Sequence, residues 1–186
     1  MMDSVLAKAQ MLKSDITHIA YASGPGAFTG VRIAASTAQG LSIGLNIPLV
    51  AISTLATLAQ HICDTHDVEK VIATLDARMG EAYMGYYIKN QQTGLVELEA
   101  EEQLIKLDQL SSQNDYFCAG SGFQASREAG FDQPLESIDE EALPHAAALA
   151  KLAQQAIQLE RAVSADHASI NYIRNKVAEK KKNPVL

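Results

Sequence analysis

The chain has 186 residues, 47% of them hydrophobic, and a formal net charge of −7. That suits one globular unit, or two small lobes sharing a core, and it argues against broad nucleic-acid binding, which needs a basic face. No apolar run reaches the roughly 18 residues of a membrane span, and no charged-then-apolar leader opens the chain, so a cytoplasmic protein is expected, with Cys63 and Cys118 as reduced thiols.

In chain order, Val5, Leu6, Ala9 and Leu12 recur at helical spacing and predict a helix over Met2–Lys13. Asp15 marks a turn, and Ile16–Ala22 reads as a short strand. "SGPG" then leads into a long helix, Thr29–Leu45, with Asn46 as its C-terminal cap. The continuous apolar run Ile47–Ser53 predicts a buried strand, and Ser53 or Thr54 caps a second apolar helix. Strand, helix, strand, helix implies a parallel α/β layer. Beyond Asp67 the pattern changes. Glu69–Ala77 and Glu81–Asn90 read as strands joined by a glycine-containing turn, and Leu95–Leu104 as a third strand. Asp115–Phe123 reads as a strand entering a Gly-rich loop, and Gln133–Leu143 as a solvated acidic loop. Pro144 opens a helix that runs to Glu160. "ASINYIRNK" is a short extended piece and "EKKKN" (Glu179–Asn183) belongs to a solvated tail. The composition shift at Gln60–Asp67 divides an N-terminal lobe (1–60) from a C-terminal lobe (61–186).

Gly24, Gly26 and Gly30 stand at the entry of the long helix. A helix N-terminus offers unpaired amides and partial positive charge, and glycines let an anion approach the backbone. The spacing fits neither the P-loop, since no Lys follows Gly30, nor the dinucleotide fingerprint, whose third glycine falls one residue earlier. Pro25 also removes an amide. A tight turn into a helix is the competing reading. The helix itself carries two rows of small residues, Gly30–Ala34–Ala38 and Ser36–Gly40–Gly44, and Arg32 is its only charge. A helix this poor in charge must be buried almost all round. One face goes to the sheet. The other wants either a second lobe of the same chain or another subunit.

"SGPGAFTGVRIAASTAQG" resembles the signature of the TsaB (YeaZ) family, with Gly24, Pro25, Gly26, Phe28, Thr29, Gly30 and Arg32 matching and Ala27 standing at the usual Ser. "LDARMGEAY" (Leu75–Tyr83) resembles the family's hairpin motif, and "INYIR" (Ile170–Arg174) its C-terminal motif. Family members begin with further strands, so roughly 40 residues of the pattern, about three strands' worth, are expected to be missing before Met1. The resemblance implies a two-lobed actin/sugar-kinase-like (ASKHA) α/β fold with an incomplete N-terminal lobe. It also implies a non-catalytic subunit, without a cofactor or metal of its own, that partners TsaD. TsaD would carry the transfer chemistry and, with the ATPase TsaE, attach threonylcarbamoyl to the adenosine beside the anticodon of certain tRNAs. ATP or ADP at the complex interface, self-pairing through the same helices, and only indirect contact with tRNA are also implied. The docking face expected from it comprises Val5, Leu6, Ala9, Phe28, Thr29, Arg32, Ile33, Ser36, Thr37 and Gly40.

Other candidates carry less. "HICDTHD" (His61–Asp67) holds metal-ligand types, but its spacing matches no closed zinc site, and it reads as the polar end of a helix with Cys63 in a polar turn. Asp76, Arg78, Gly80 and Glu81 surround a hairpin turn that grips a partner or phosphate, or simply pairs Arg78 with a carboxylate. Ser121 lacks the frame of a nucleophile elbow. The rival functions are an ATP-binding phosphotransferase or hydrolase of the same superfamily, and a peptidase acting on TsaD.

Overall fold

The computed structural model describes residues 2–111, 115–131 and 138–173. Arg174 and Glu179–Asn183, and part of the acidic segment after Gln133, lie outside them. A short helix, α1 (Met2–Ala9), comes first and has no buried residue. It ends four residues before Lys13 because Gln10 takes a left-handed conformation, φ 55°. The first strand, β1 (Ile19–Gly24), starts and ends later than the Ile16–Ala22 expected. Its ladder opens where Ile19 N–H meets the Pro48 carbonyl at 3.0 Å and Ile19 stands opposite Leu49.

Helix α2 (Phe28–Leu45) follows, and Asn46 (φ 54°) terminates it as expected. Strand β2 (Leu49–Ser53) lies parallel to β1 in a two-stranded sheet. Its unbroken apolar run has a physical reason. Leu49 packs towards α2 with Tyr21, Ala35 and Ala38, while Val50 and Ile52 face the opposite core. Ser53 caps helix α3 (Thr54–His66), its hydroxyl accepting from Leu55 N–H at 3.1 Å and Ala56 N–H at 3.3 Å.

The second sheet is built on the hairpin of β3 (Lys70–Arg78) and β4 (Glu81–Lys89). The expected third strand is two. β5 (Val96–Leu98) pairs with the far end of β4, and β6 (Gln103–Lys106) with its start. The chain bends between them, and Glu99, Glu101 and Glu102 fall between the two strands. β7 (Phe117–Ala119) and β8 (Ile138–Asp139) extend β3 in parallel, giving the order β5-β4-β3-β7-β8. β8 lies within the segment expected to be a loop.

Between β7 and β8 runs α4 (Ser121–Glu128), where a Gly-rich loop was expected. Gly120 has φ +100°, and a Cβ there would stand 2.1 Å from the Thr74 carbonyl oxygen. Gly122 lets the helix lie directly on Thr74. The glycines therefore serve close packing rather than a loop. The last helix, α5 (Ala146–Gln158), starts after Pro144, with His145 as N-cap accepting from Ala147 N–H at 3.3 Å. The apolar stripe within Ala147–Ile157 packs as core through Ala148, Leu152, Ala153 and Ala156.

The layers stack as α2, the small sheet, α3 with α5, the large sheet, and α4. The main core joins both sheets through Leu55, Leu58, Ala59 and Ile62 of α3, with Val50, Val71 and Leu152 around them. Burying each such aliphatic side chain contributes about 1.5–3 kcal/mol. Cys63 belongs to this core and is not in a polar turn. After α5 the chain returns to the small sheet. Val163 bridges to Leu49, and the segment 168–173 crosses the carboxyl end of β1.

Candidate functional site

The Gly-Pro-Gly turn connects β1 to α2. Gly24 is buried at φ +108°, and a Cβ would stand 2.8 Å from the Asn171 carbonyl oxygen. Asn171 N–H in turn donates to the Ser23 carbonyl at 2.8 Å. The close approach that Gly24 permits is thus made by the returning C-terminal segment. Of the three turn glycines, only Gly26 lines the neighbouring cleft, and Gly30 is exposed on the helix.

Helix α2 buries one stripe, Val31, Ala35, Ala38 and Ser42, against the small sheet. Its opposite face is not covered by the described residues, so of the two expected covers a second lobe of this chain is not found among them. Phe28, Thr29, Arg32, Ile33, Ser36, Thr37 and Gly40 are all exposed. Ile33 is 61% and Ile43 72% exposed. The two rows of small residues separate: Ala34 and Ala38 turn inward, while Ser36, Gly40 and Gly44 form an open, nearly flat strip. Val5 and Ala9 of α1 are exposed and Leu6 is half-buried.

A cleft of about 620 Å³ opens beside the turn. Gly26, Phe28 and Val31 form one wall and the β3–β4 hairpin and α4 the other, with Asn171 and Tyr172 at the edge. Asp76 sits within it. Its carboxylate pairs with Arg78 Nη1 at 2.9 Å and accepts from Arg78 N–H at 2.7 Å. The hairpin turn takes left-handed geometry at Arg78, Met79 and Gly80, φ 62°, 59° and 78°. Glu81 stands opposite Arg78 where the ladder resumes. Of the four hairpin-motif residues, Asp76 and Arg78 line the cleft, while Gly80 and Glu81 shape the turn. Ser121 Oγ accepts from Asp76 N–H at 3.1 Å, so its hydroxyl helps fix α4 to β3.

Sequence reasoning missed the residue that ties these parts together. Glu102, half-buried in the bend before β6, bonds through Oε1 to the Ser53 hydroxyl and accepts from Tyr87 OH at 2.5 Å. Its Oε2 accepts from Asn171 Nδ2 at 2.9 Å. One carboxylate thus joins the cap of α3, the large sheet and the returning segment. Burial and the adjacent Glu102 charge push the Tyr87 phenol far above its ordinary range. In the sequence Glu102 is one of four glutamates in six residues, and nothing local distinguishes it.

The histidine-rich end of α3 has separate local partners. His61 stacks on His145 with centroids 5.2 Å apart, His66 lies against Phe117, and Asp64 pairs with Lys151 at 2.8 Å. Among the described residues, no three metal-ligating side chains converge. No helix there is long and apolar enough to cross a membrane.

Comparison with known proteins matches this architecture. A family model described as TsaD: tRNA N6-adenosine threonylcarbamoyltransferase matches residues 1–185. The tRNA threonylcarbamoyladenosine biosynthesis protein TsaB of Escherichia coli K12 is 35% identical over 189 residues, covering 97% of this chain and 80% of that protein. Its counterpart in Haemophilus influenzae is 31% identical over 191 residues, with the same shares covered. Among solved structures, YeaZ from Pseudomonas aeruginosa superposes with a TM-score of 0.84 at 36% identity, over 92% of this chain and 80% of that one.

Proposed function

We propose that this chain, which belongs to the TsaB (YeaZ) family, serves tRNA N6-threonylcarbamoyladenosine biosynthesis as a non-catalytic subunit that docks on and activates TsaD. The observation that carries the reading is the outer face of α2. Its charge-poor strip from Phe28 to Gly44 is exposed, and small side chains leave room for another helix to approach closely. The two sheets are read as the two lobes of the ASKHA fold. Binding energy on the α2 face, with Val5, Leu6 and Ala9 of α1 contributing, would favour one conformation of TsaD and so raise its active population. TsaE joins the same assembly, tRNA is reached through TsaD, and the site of work is the cytoplasm. In the absence of TsaD two copies pair through the same face. ATP or ADP would be held at the shared interface and not by this chain alone.

The test is light scattering on the purified chain, alone and mixed with TsaD from the same organism. Ser36 is exposed in the middle of the strip, so Ser36→Arg obstructs docking without touching the core. A mixed dimer with the wild-type chain and none with Ser36→Arg is expected. A folded chain that forms no mixed dimer would overturn the reading.

The cleft supports a second reading, a small ATP-binding phosphotransferase or hydrolase of the same superfamily. It is large enough for a small ligand and lies between the glycine turn and an acidic hairpin. Tight ATP binding and turnover by the isolated chain would favour it.

A further inference from the structure

We infer that Arg32 is a preset anchor for a carboxylate side chain presented by the protein that docks on α2, an inference that rests on the docking reading above. Arg32 is the only charge of α2. It is exposed, yet its guanidinium is fixed from two sides. Its Cζ lies 3.5 Å from the centre of the Phe28 ring, and its Nε donates to Tyr172 OH at 3.0 Å. The stack and the hydrogen bond hold the planar group in one orientation. Among the described residues, the two terminal nitrogens have no hydrogen-bond partner. A guanidinium with Nε engaged and both Nη groups open suits two-point recognition of an oxyanion, and fixing it beforehand removes part of the ordering cost of binding.

Charge selects the source of that oxyanion. Phe28 and Tyr172 line the cleft together with Asp76 and Glu128, and among the described lining residues the one cation is Arg78, itself paired with Asp76. A phosphate-rich ligand seated in the cleft meets like charge. A carboxylate arriving on the outer face of α2 meets Arg32, which does not line the cleft. Tyr172 belongs to the returning segment, so the docking surface extends from α2 onto that segment.

The test is the Kd of full-length TsaD for the full chain, at low and high salt, with wild type, Arg32→Ala, Arg32→Lys and Tyr172→Phe. Arg32→Ala is expected to weaken binding about tenfold or more and to flatten its salt dependence. Arg32→Lys recovers little, because an ammonium neither stacks flat nor binds two oxygens in a fork. Tyr172→Phe falls between, and inorganic phosphate does not compete. Both side chains are exposed, so thermal melts of all three variants stay at the wild-type value. A Kd for Arg32→Ala within about twofold of wild type, or phosphate displacing TsaD only when Arg32 is present, would overturn the anchor. If Ser36→Arg blocks binding while Arg32→Ala does not, docking stands and the anchor alone fails. If wild-type TsaD does not bind, both fail.

Discussion

Replacing Glu102 by Ala tests whether one carboxylate joins the layers of the fold. The substitution removes the acceptor for Ser53 Oγ, Tyr87 OH and Asn171 Nδ2. Tyr87 is 1% exposed, so its hydroxyl would be left buried without that partner. A stranded buried hydroxyl costs about 1–3 kcal/mol, and hydrogen bonds to a charged group contribute about 1.5–3 kcal/mol each. Glu102 itself is half-buried, water replaces part of what is lost, and the three bonds share one carboxylate, so simple addition overshoots. The expected loss is about 2–4 kcal/mol, or roughly 5–15 °C in Tm for a chain of this length. Urea and thermal unfolding followed by circular dichroism measure it. Tyr87→Phe removes the stranded hydroxyl along with the bond. In the Glu102→Ala background it should restore part of the loss, giving a coupling energy of about 1 kcal/mol or more. A Glu102→Ala protein within 0.5 kcal/mol (about the noise of surface substitutions) of wild type would refute the role assigned to the carboxylate.

Three further outcomes follow from the fold. Leu58 is fully buried between the two sheets, so Leu58→Ala should cost about 2–5 kcal/mol in chemical unfolding; a loss below about 1 kcal/mol, half the lower end of that range, would mean that α3 is not central to the core. Gly120→Ala places a Cβ against the Thr74 carbonyl at a positive φ, so the protein should lose its cooperative melt or fall by several degrees, whereas Gly94→Ala, with nothing within 4 Å, should show only the milder cost of its positive φ. Burial pushes the Cys63 and Cys118 thiols up from 9.0 to about 11. A raised folded-state value contributes stability that is full below pH 9.0 and is lost as pH rises through about 11, so the urea midpoint should decline over that window and shift less in a Cys118→Ala protein, and neither thiol should react with a disulfide reagent until the chain unfolds.

Much of the N-terminal half was legible because local chemistry and burial agree there. Ser53 looks like a cap and is one, Asn46 ends α2 in the left-handed conformation, and "IPLVAIS" is apolar without a break because β2 is covered on both faces. The outer face of α2 is a different case: its poverty in charge predicted cover, and the seven residues named for docking there are exposed among the described residues. The errors came where tertiary contact overrides a local signal. Gly120 and Gly122 read as loop residues, yet they are glycines because β3 lies against them. "LVELEAEEQL" shows no break, and only pairing to the two ends of β4 divides it. Cys63 sits in a polar string, yet helical phase turns it into the core beside Ile62 and Ala59. Glu102 and Asn171 are 69 residues apart, and no local pattern announces their contact.

The most direct test of the central claim is reconstitution of threonylcarbamoyladenosine formation on tRNA with purified TsaD, TsaE, ATP and an activated threonylcarbamoyl donor, with and without this chain. The account predicts product only when the chain is present, and its loss when Ser36→Arg replaces the wild type. Equal product without the chain, or full activity with a Ser36→Arg protein that no longer binds TsaD, would contradict it.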